Sequence, residues 1–276
     1  LNFNRGNFIS IENFEEFKRN RDFPLIIFIE DTRDTEHNRF NSEHMKILKF
    51  SLSLIIIIVV LFLGLKVLDG LEQMAVEQHS QNAVEKKFHQ NPDVFAWLTV
   101  EGTRIDYPVA QHPRDDAYYL SHDIDGKETY YGAIFTELVN KITFEDPVTI
   151  IYGHAMLDDS MFGSLDYFAK PAFFKEHERI TIDTLTQHFE YEVMAAHSYT
   201  DDHLFHTFKL GSREGLRYYL ETLQIRTSDY GGFYRQIATD PQKDRFLILS
   251  TCDAIGNDQR FVVTARLKSV KERTSK

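Results

Sequence analysis

The chain carries a single thiol, Cys252, at the end of the apolar run "FLILSTC" from Phe246 to Cys252. A polar turn, "DAIGNDQ", follows, and Arg260 opens the next apolar run. Only the thiolate attacks well, and a free thiol has a pKa of about 8.5, so a nucleophilic cysteine needs a cation nearby. A lone cysteine is otherwise most often a small buried apolar residue. Three features favour the nucleophile. The strand-like run ends at Cys252, the next segment is polar with a glycine, and an antiparallel return would bring Arg260 back beside the thiol. A cationic partner is also on hand, because His154 closes another apolar run, "VTIIYGH". His154, Cys252 and Arg260 at three strand ends form a candidate acyl-transfer constellation.

The other histidines have plainer readings. His79 and His89 fall on a polar helical stretch, His177 at a charged helix end and His188 at a strand turn. His203 and His206 are spaced like a metal pair but have no further ligands nearby, so no metal is expected. Asp158 and Asp159 are two adjacent acids, too few for a calcium cage, and are expected in a solvated loop. No cofactor is expected.

The elements that must position these residues alternate apolar and polar positions. "AWLTVEGTRIDYPVAQ" predicts two strands about the turn Glu101-Gly102, and "YYGAIFTE" (Tyr130 to Glu137) and "PVTIIYGH" predict two more. "SMFGSLDYF" and "PAFFKEH" predict short helices, and "RITIDTLTQHFEYEVMAAHSY" a hairpin. Ser212 caps a predicted helix to Ile225, with Leu216, Tyr219, Leu220 and Leu223 at helical spacing. "DRFLILST" and "RFVVTARLKSV" are the last two strands. Many short strands with a few inserted helices predict a mostly β protein built on a closed β-barrel.

Composition narrows the function. The net charge of -11 over 276 residues argues against a nucleic-acid binder. One cysteine forbids an intramolecular disulfide. "FSLSLIIIIVVLFLGL" (Phe50 to Leu65) has no charge, and with its flanks reaches the roughly 20 residues a bilayer helix needs. Residues 47–68 are therefore expected to form a transmembrane signal anchor and 69–90 a helical stalk, with the main domain over 91–276. Arg33, Arg39, Lys46 and Lys49 precede the span, and after Lys66 no basic residue comes until Lys86. The positive-inside rule puts the N-terminus in the cytoplasm and the domain outside the cell membrane, with a single pass. The chain opens on Leu1, and "MKILKFSLSLIIII" from Met45 reads like the start of a signal-anchor protein. Residues 1–46 are then either a cytoplasmic tail or, for the part before Met45, a misassigned upstream extension.

With these residues in view, the sequence resembles the sortase family, the membrane-anchored cysteine transpeptidases of Gram-positive bacteria. The resemblance lies in "IYGHAMLDDSMF", "LSTC" and "RFVVTARL" together, and "NPDVFAWLTVEGTRIDYPVAQ" and "DDAYYLSHDIDGKETYYGAIFTE" are similar to that family's opening strands. It covers about Asn91 to Val270. The insert carrying the Ser212–Ile225 helix and the helical segment before Asn91 are similar to class B. The resemblance implies a sortase-type closed barrel with inserted short helices. It makes Cys252 the nucleophile, His154 the acid/base partner, and Arg260 the group that positions substrate and stabilises the oxyanion. Ser250, Thr251 and Asp253 flank the nucleophile and are candidate substrate contacts; their other reading is polar residues at a strand end. One departure is visible: the family's Thr-Leu-x-Thr-Cys pattern stands here as Ile248-Leu249-Ser250-Thr251-Cys252, without the first Thr.

The implied reaction cleaves a C-terminal sorting motif after its Thr, of the Asn-Pro-x-Thr type. It passes through a thioacyl enzyme and joins the secreted protein to a peptidoglycan amine. The implied partners are secreted proteins with a C-terminal sorting signal and a cell-wall precursor. A pilin-polymerising sortase and a cysteine peptidase use the same residues. A membrane-tethered binding module with an inert thiol is the non-enzymatic alternative.

Overall fold

The computed structural model describes residues 32–252 and 259–273. The chain divides into two units between Leu68 and Asp69. Helix α1 spans Thr32–Gln90. Within it, Lys49–Glu72 is long and apolar enough to cross a membrane. Ile55, Val60 and Leu63 are 56%, 60% and 56% exposed. An apolar surface all round a helix suits lipid, consistent with a membrane anchor.

The second unit is built on β-strands. β1 (Val94–Val100) and β2 (Asp106–Ala110) form the opening hairpin. After them come α2 (Tyr118–Ser121), β3 (Ile134–Phe135) and β4 (Val148–His154). A 3-10 turn (Gly163–Ala169) and α3 (Pro171–Glu176) lead to β5 (Arg179–Asp183) and the long β6 (Gln187–Thr200). Then follow α4 (Leu204–Phe208), α5 (Arg213–Asp229), β7 (Phe233–Tyr234), β8 (Phe246–Cys252) and β9 (Gln259–Glu272). The strands run in the order β5-β1-β2-β3-β4-β8-β9-β6, and β6 pairs back onto β5. That last pairing closes an eight-stranded barrel, from which β7 branches at Ala195 and Ala196.

β4 and β8 are parallel neighbours. A parallel pair needs a crossover, and here it holds everything from the 3-10 turn to β7. Both strands are buried on both faces, which is why they read as largely apolar runs without alternation. Ile151, Leu247, Leu249 and Val263 fill the barrel. Ile150, Phe246, Ile248 and Val262 face outward and pack under Leu204, Leu216, Tyr219 and Leu223 of α4 and α5. Ile248, where the family pattern has Thr, is fully buried in this outer layer.

The hairpins, the last two strands and the Ser212 cap match their expectations. The Ser212 hydroxyl accepts from the Gly215 N–H at 3.0 Å, and α5 runs to Asp229, past Ile225. The strand expected over Tyr130 to Glu137 is only two residues long, Ile134–Phe135. Gly132, at φ +59°, bends the chain toward α2, where the Ala133 N–H donates to the Tyr119 carbonyl at 2.9 Å. Tyr130 and Tyr131 are left 65% and 43% exposed. The segment after α1 is tied down by side chains. Asn91 Nδ2 donates to Tyr119 Oη at 2.9 Å and to the Ile124 carbonyl at 2.8 Å, and Lys87 pairs with Asp125 at 3.6 Å.

Candidate active site

The register of three neighbouring strands assembles the site. β4 and β8 pair in parallel from Val148↔Phe246 to His154↔Cys252, so the last residues of the two strands are partners. Neighbouring strands lie about 4.8 Å apart, so the two backbones are in direct lateral contact. On the other side of β8, β9 runs antiparallel, and its pairing with β8 ends at Ser250↔Val262. Counting two residues further along each strand brings Arg260 opposite Cys252. The Phe261 N–H donates to Thr251 Oγ1 at 2.8 Å, which carries the contact past the end of the ladder. Positions 154, 252 and 260 therefore make one row across β4, β8 and β9.

His154 is half-buried. Its Nε2 lies 2.7 Å from the carbonyl oxygen of Leu120, in α2. The Tyr130 ring lies parallel to the imidazole, with centroids 6.3 Å apart and planes 8° apart. After His154 the chain turns tightly. The Phe162 N–H donates back to the His154 carbonyl at 2.8 Å, and Asp159 and Met161 adopt φ of +65° and +51°. Such backbone is costly for residues with a Cβ. Local bonds hold the turn: Met161 N–H to Tyr107 Oη at 3.2 Å, Tyr167 Oη to Asp159 at 2.9 Å and Arg104 to the Asp158 carbonyl at 3.0 Å. The Ser160 hydroxyl and N–H hold the exposed Asp158 carboxyl below the usual range.

Arg260 is half-buried, and its Nε has no hydrogen-bond partner among the described residues. It lines a cleft of about 320 Å3 together with Asp159, Asp166, Ser198, Thr251 and Gln259. Burial raises the Asp166 carboxyl, and the Lys170 charge acts against that rise. Guanidinium and carboxylates thus face a common space beside Thr251 and Ala155, the immediate neighbours of Cys252 and His154. The flanking candidates separate. Ser250 is fully buried, with its hydroxyl on the Thr251 carbonyl at 3.3 Å. Thr251 is buried but touches the cleft. Asp253 lies outside the described residues.

The sortase domain family matches residues 98–268 of this chain. The chain belongs to the sortase family. The sortase is similar to the sortase B of Listeria monocytogenes, at 32% identity over 172 residues, 59% of this chain and 64% of that protein. That match spans a little under two thirds of the Listeria protein's length. The sortase B of Staphylococcus aureus is 27% identical over 207 residues, 72% of this chain and 81% of that protein. Among solved structures, a Streptococcus pyogenes class B sortase involved in pilus biogenesis shares 31% identity with a TM-score of 0.59, over 67% of this chain and 97% of that one. Clostridium perfringens sortase B aligns with a TM-score of 0.59 at 28% identity, over 67% of this chain and 99% of that one.

Two features of this sortase site were not foreseen from sequence: the Leu120 carbonyl on His154 and the Tyr130 ring over it. Their one local signal is Gly132 in "TYYGAIF", a glycine inside a run that otherwise reads as a strand. His203 pairs with Glu137 at 2.8 Å, and its ring lies 4.4 Å from that of His206. Glu137 also accepts from Tyr152 Oη at 3.3 Å.

Proposed function

We propose that this sortase is a membrane-anchored cysteine transpeptidase of the class B type that joins secreted proteins to the cell wall. The register that pairs His154 with Cys252 carries this reading. In the first half-reaction the Cys252 thiolate attacks the carbonyl carbon of the Thr in a C-terminal sorting motif. The C–N bond breaks, and His154 gives its proton to the leaving amine. The product is a thioester between Cys252 and the Thr acyl group. In the second half-reaction an amine of a peptidoglycan precursor attacks that thioester. His154 takes the amine's proton, the C–S bond breaks and the thiolate returns. Arg260 donates charged hydrogen bonds to the oxyanion in both halves. Its Nε, without a hydrogen-bond partner among the described residues, and a β8–β9 register that extends from Ser250↔Val262 toward Cys252 and Arg260 support that role.

The resemblance to class B implies an Asn-Pro-x-Thr motif rather than Leu-Pro-x-Thr-Gly. The apolar stretch Lys49–Glu72 anchors the enzyme, and the basic residues before it put the barrel outside the cell. Anchoring confines enzyme, exported protein and lipid-linked precursor to one surface and raises their effective concentration.

The test incubates the full-length chain in detergent micelles with quenched-fluorescent Asn-Pro-x-Thr and Leu-Pro-x-Thr-Gly peptides, with and without an added amine. Cys252→Ala is the control. The expected result is cleavage of the first peptide after Thr, a thioacyl adduct by mass spectrometry, and an aminolysis product only when amine is present. Release to water alone, with amine in excess, points to a peptidase. No cleavage from a folded protein whose thiol resists alkylation rejects the enzyme reading for the tethered binding module.

A further inference from the structure

The contact between His154 and Leu120 has a chemical direction. A neutral imidazole carries one N–H, and a carbonyl oxygen can only accept. The 2.7 Å contact between His154 Nε2 and the Leu120 carbonyl therefore requires the proton on Nε2. Nδ1 is then the nitrogen with the free lone pair. In the imidazolium both nitrogens carry protons, so the Leu120 bond survives in either charge state. The proton that comes and goes sits on Nδ1.

This arrangement depends on how closely two backbone segments approach. At Gly132 a Cβ would stand 2.6 Å from the Tyr119 carbonyl oxygen, 2.9 Å from that of Leu120 and 3.1 Å from His154 Cδ2. Only a residue without a Cβ lets the chain pass between α2 and the imidazole while these oxygens keep their places. Backbone bonds from the Gly132 segment and side-chain bonds from Asn91 and Asp93 pin α2. The Thr129 N–H donates to the Ser121 carbonyl at 2.8 Å and the Ala133 N–H to the Tyr119 carbonyl at 2.9 Å. The buried Tyr119 hydroxyl donates to Asp93 at 2.9 Å and accepts from Asn91 at 2.9 Å.

We propose that the Leu120 carbonyl, seated by Gly132, is a positioning group that locks His154 as the Nε2–H tautomer and leaves Nδ1 to exchange the proton with substrate. Leu120 and Gly132 act through His154 and take no part in the chemistry themselves. The kinetic half of the test rests on the transpeptidase reading; the spectroscopic half does not.

The deciding experiment is nitrogen NMR on full-length chain in detergent micelles, labelled with 15N-histidine. The His154 signals are identified by their loss in His154→Gln. In the neutral ring, Nε2 is expected to resonate as a protonated nitrogen and Nδ1 as an unprotonated one. Gly132→Ala is expected to mix the tautomers and to lower kcat for peptide cleavage by about 100-fold, the scale of a 1 Å misplacement, with KM little changed. Gly126→Ala controls for backbone strain alone. Gly126 also has positive φ, +78°, but only Tyr118 Oη, at 3.5 Å, lies near its would-be Cβ. That variant is expected to keep both the spectrum and kcat. A neutral His154 ring protonated on Nδ1 instead of Nε2 in the unaltered chain overturns the proposal, as does a Gly132→Ala spectrum identical to the unaltered one. If the unaltered chain cleaves no peptide, the transpeptidase reading falls, and the spectrum still decides the tautomer.

Discussion

His154 at the end of β4 and His197 within β6 each place one ring nitrogen 2.7 Å from a backbone carbonyl, of Leu120 and of Ser198 respectively. The similarity ends there. His154 is half-exposed, beside a cleft and with the ring of the exposed Tyr130 parallel to its own. His197 is 1% exposed, and its Nε2 has no hydrogen-bond partner among the described residues. Burial pushes His197 below the usual imidazole range, and the bond to the Ser198 carbonyl opposes that push. One carbonyl contact thus serves two ends. At half-exposed His154 the contact orients a ring beside the cleft, as the proposed proton exchange requires. At buried His197 it helps hold a neutral ring inside the fold, and protonation must work against the packing.

Several measurements would break or sharpen this contrast. His154→Ala should lower the rate of peptide cleavage by about 10²–10⁴-fold, the usual worth of a general acid/base, with little change in thermal stability. A comparable loss of stability would make His154 a structural residue like His197. Arg260→Ala should cost about 10²–10³-fold in kcat, as for an oxyanion donor, and Arg260→Lys should recover part of it. A pure rise in KM would move Arg260 from the oxyanion to ground-state binding. Tyr130→Ala removes the parallel ring and should change the cleavage rate roughly twofold to tenfold, the worth of an aromatic pair.

The smallest effect on turnover is expected at His197, where the readout is stability against pH. In the unfolded chain this imidazole takes up a proton near pH 6.5, as a free histidine does, while in the fold its pKa is lowered. Its contribution is therefore complete above about pH 6.5 and is lost as pH falls from there toward the lowered folded value. His197→Asn should flatten that part of the curve in chemical denaturation between about pH 7 and 5. An unchanged slope would show that His197 is not the group responsible.

How much of this was legible beforehand varied with length and locality. Runs such as "FLILSTC" and "VTIIYGH" declare themselves because both faces of β4 and β8 are buried, so most positions are apolar on either face. Ser212 declared the start of α5 because a cap acts within one turn. By contrast α2, α4 and β7 have two to five residues each and too little periodicity of their own. They are held by tertiary docking, as Tyr119 and Leu204 are by the outer core. The strand expected over Tyr130 to Glu137 shrank because Gly132 diverts the chain toward α2, a long-range contact that no window of neighbouring residues contains. Ser250 read either as a substrate contact or as a strand-end residue open to water; in the fold it is fully buried.

The sequence by itself determined the kinds of chemistry on offer: one thiol, a histidine and an arginine at strand ends, and an apolar stretch long enough for a membrane. Those follow from residue type and local pattern, which act over a few positions. Only the tertiary structure decided that β4 and β8 are parallel and end in register, so that His154 meets Cys252 across 98 residues of chain. It also decided which nitrogen of His154 meets a carbonyl, because that depends on a glycine 22 residues away letting two backbones touch. Register and close approach are properties of paired strands and packed layers, and a sequence read along its length does not contain the pairing.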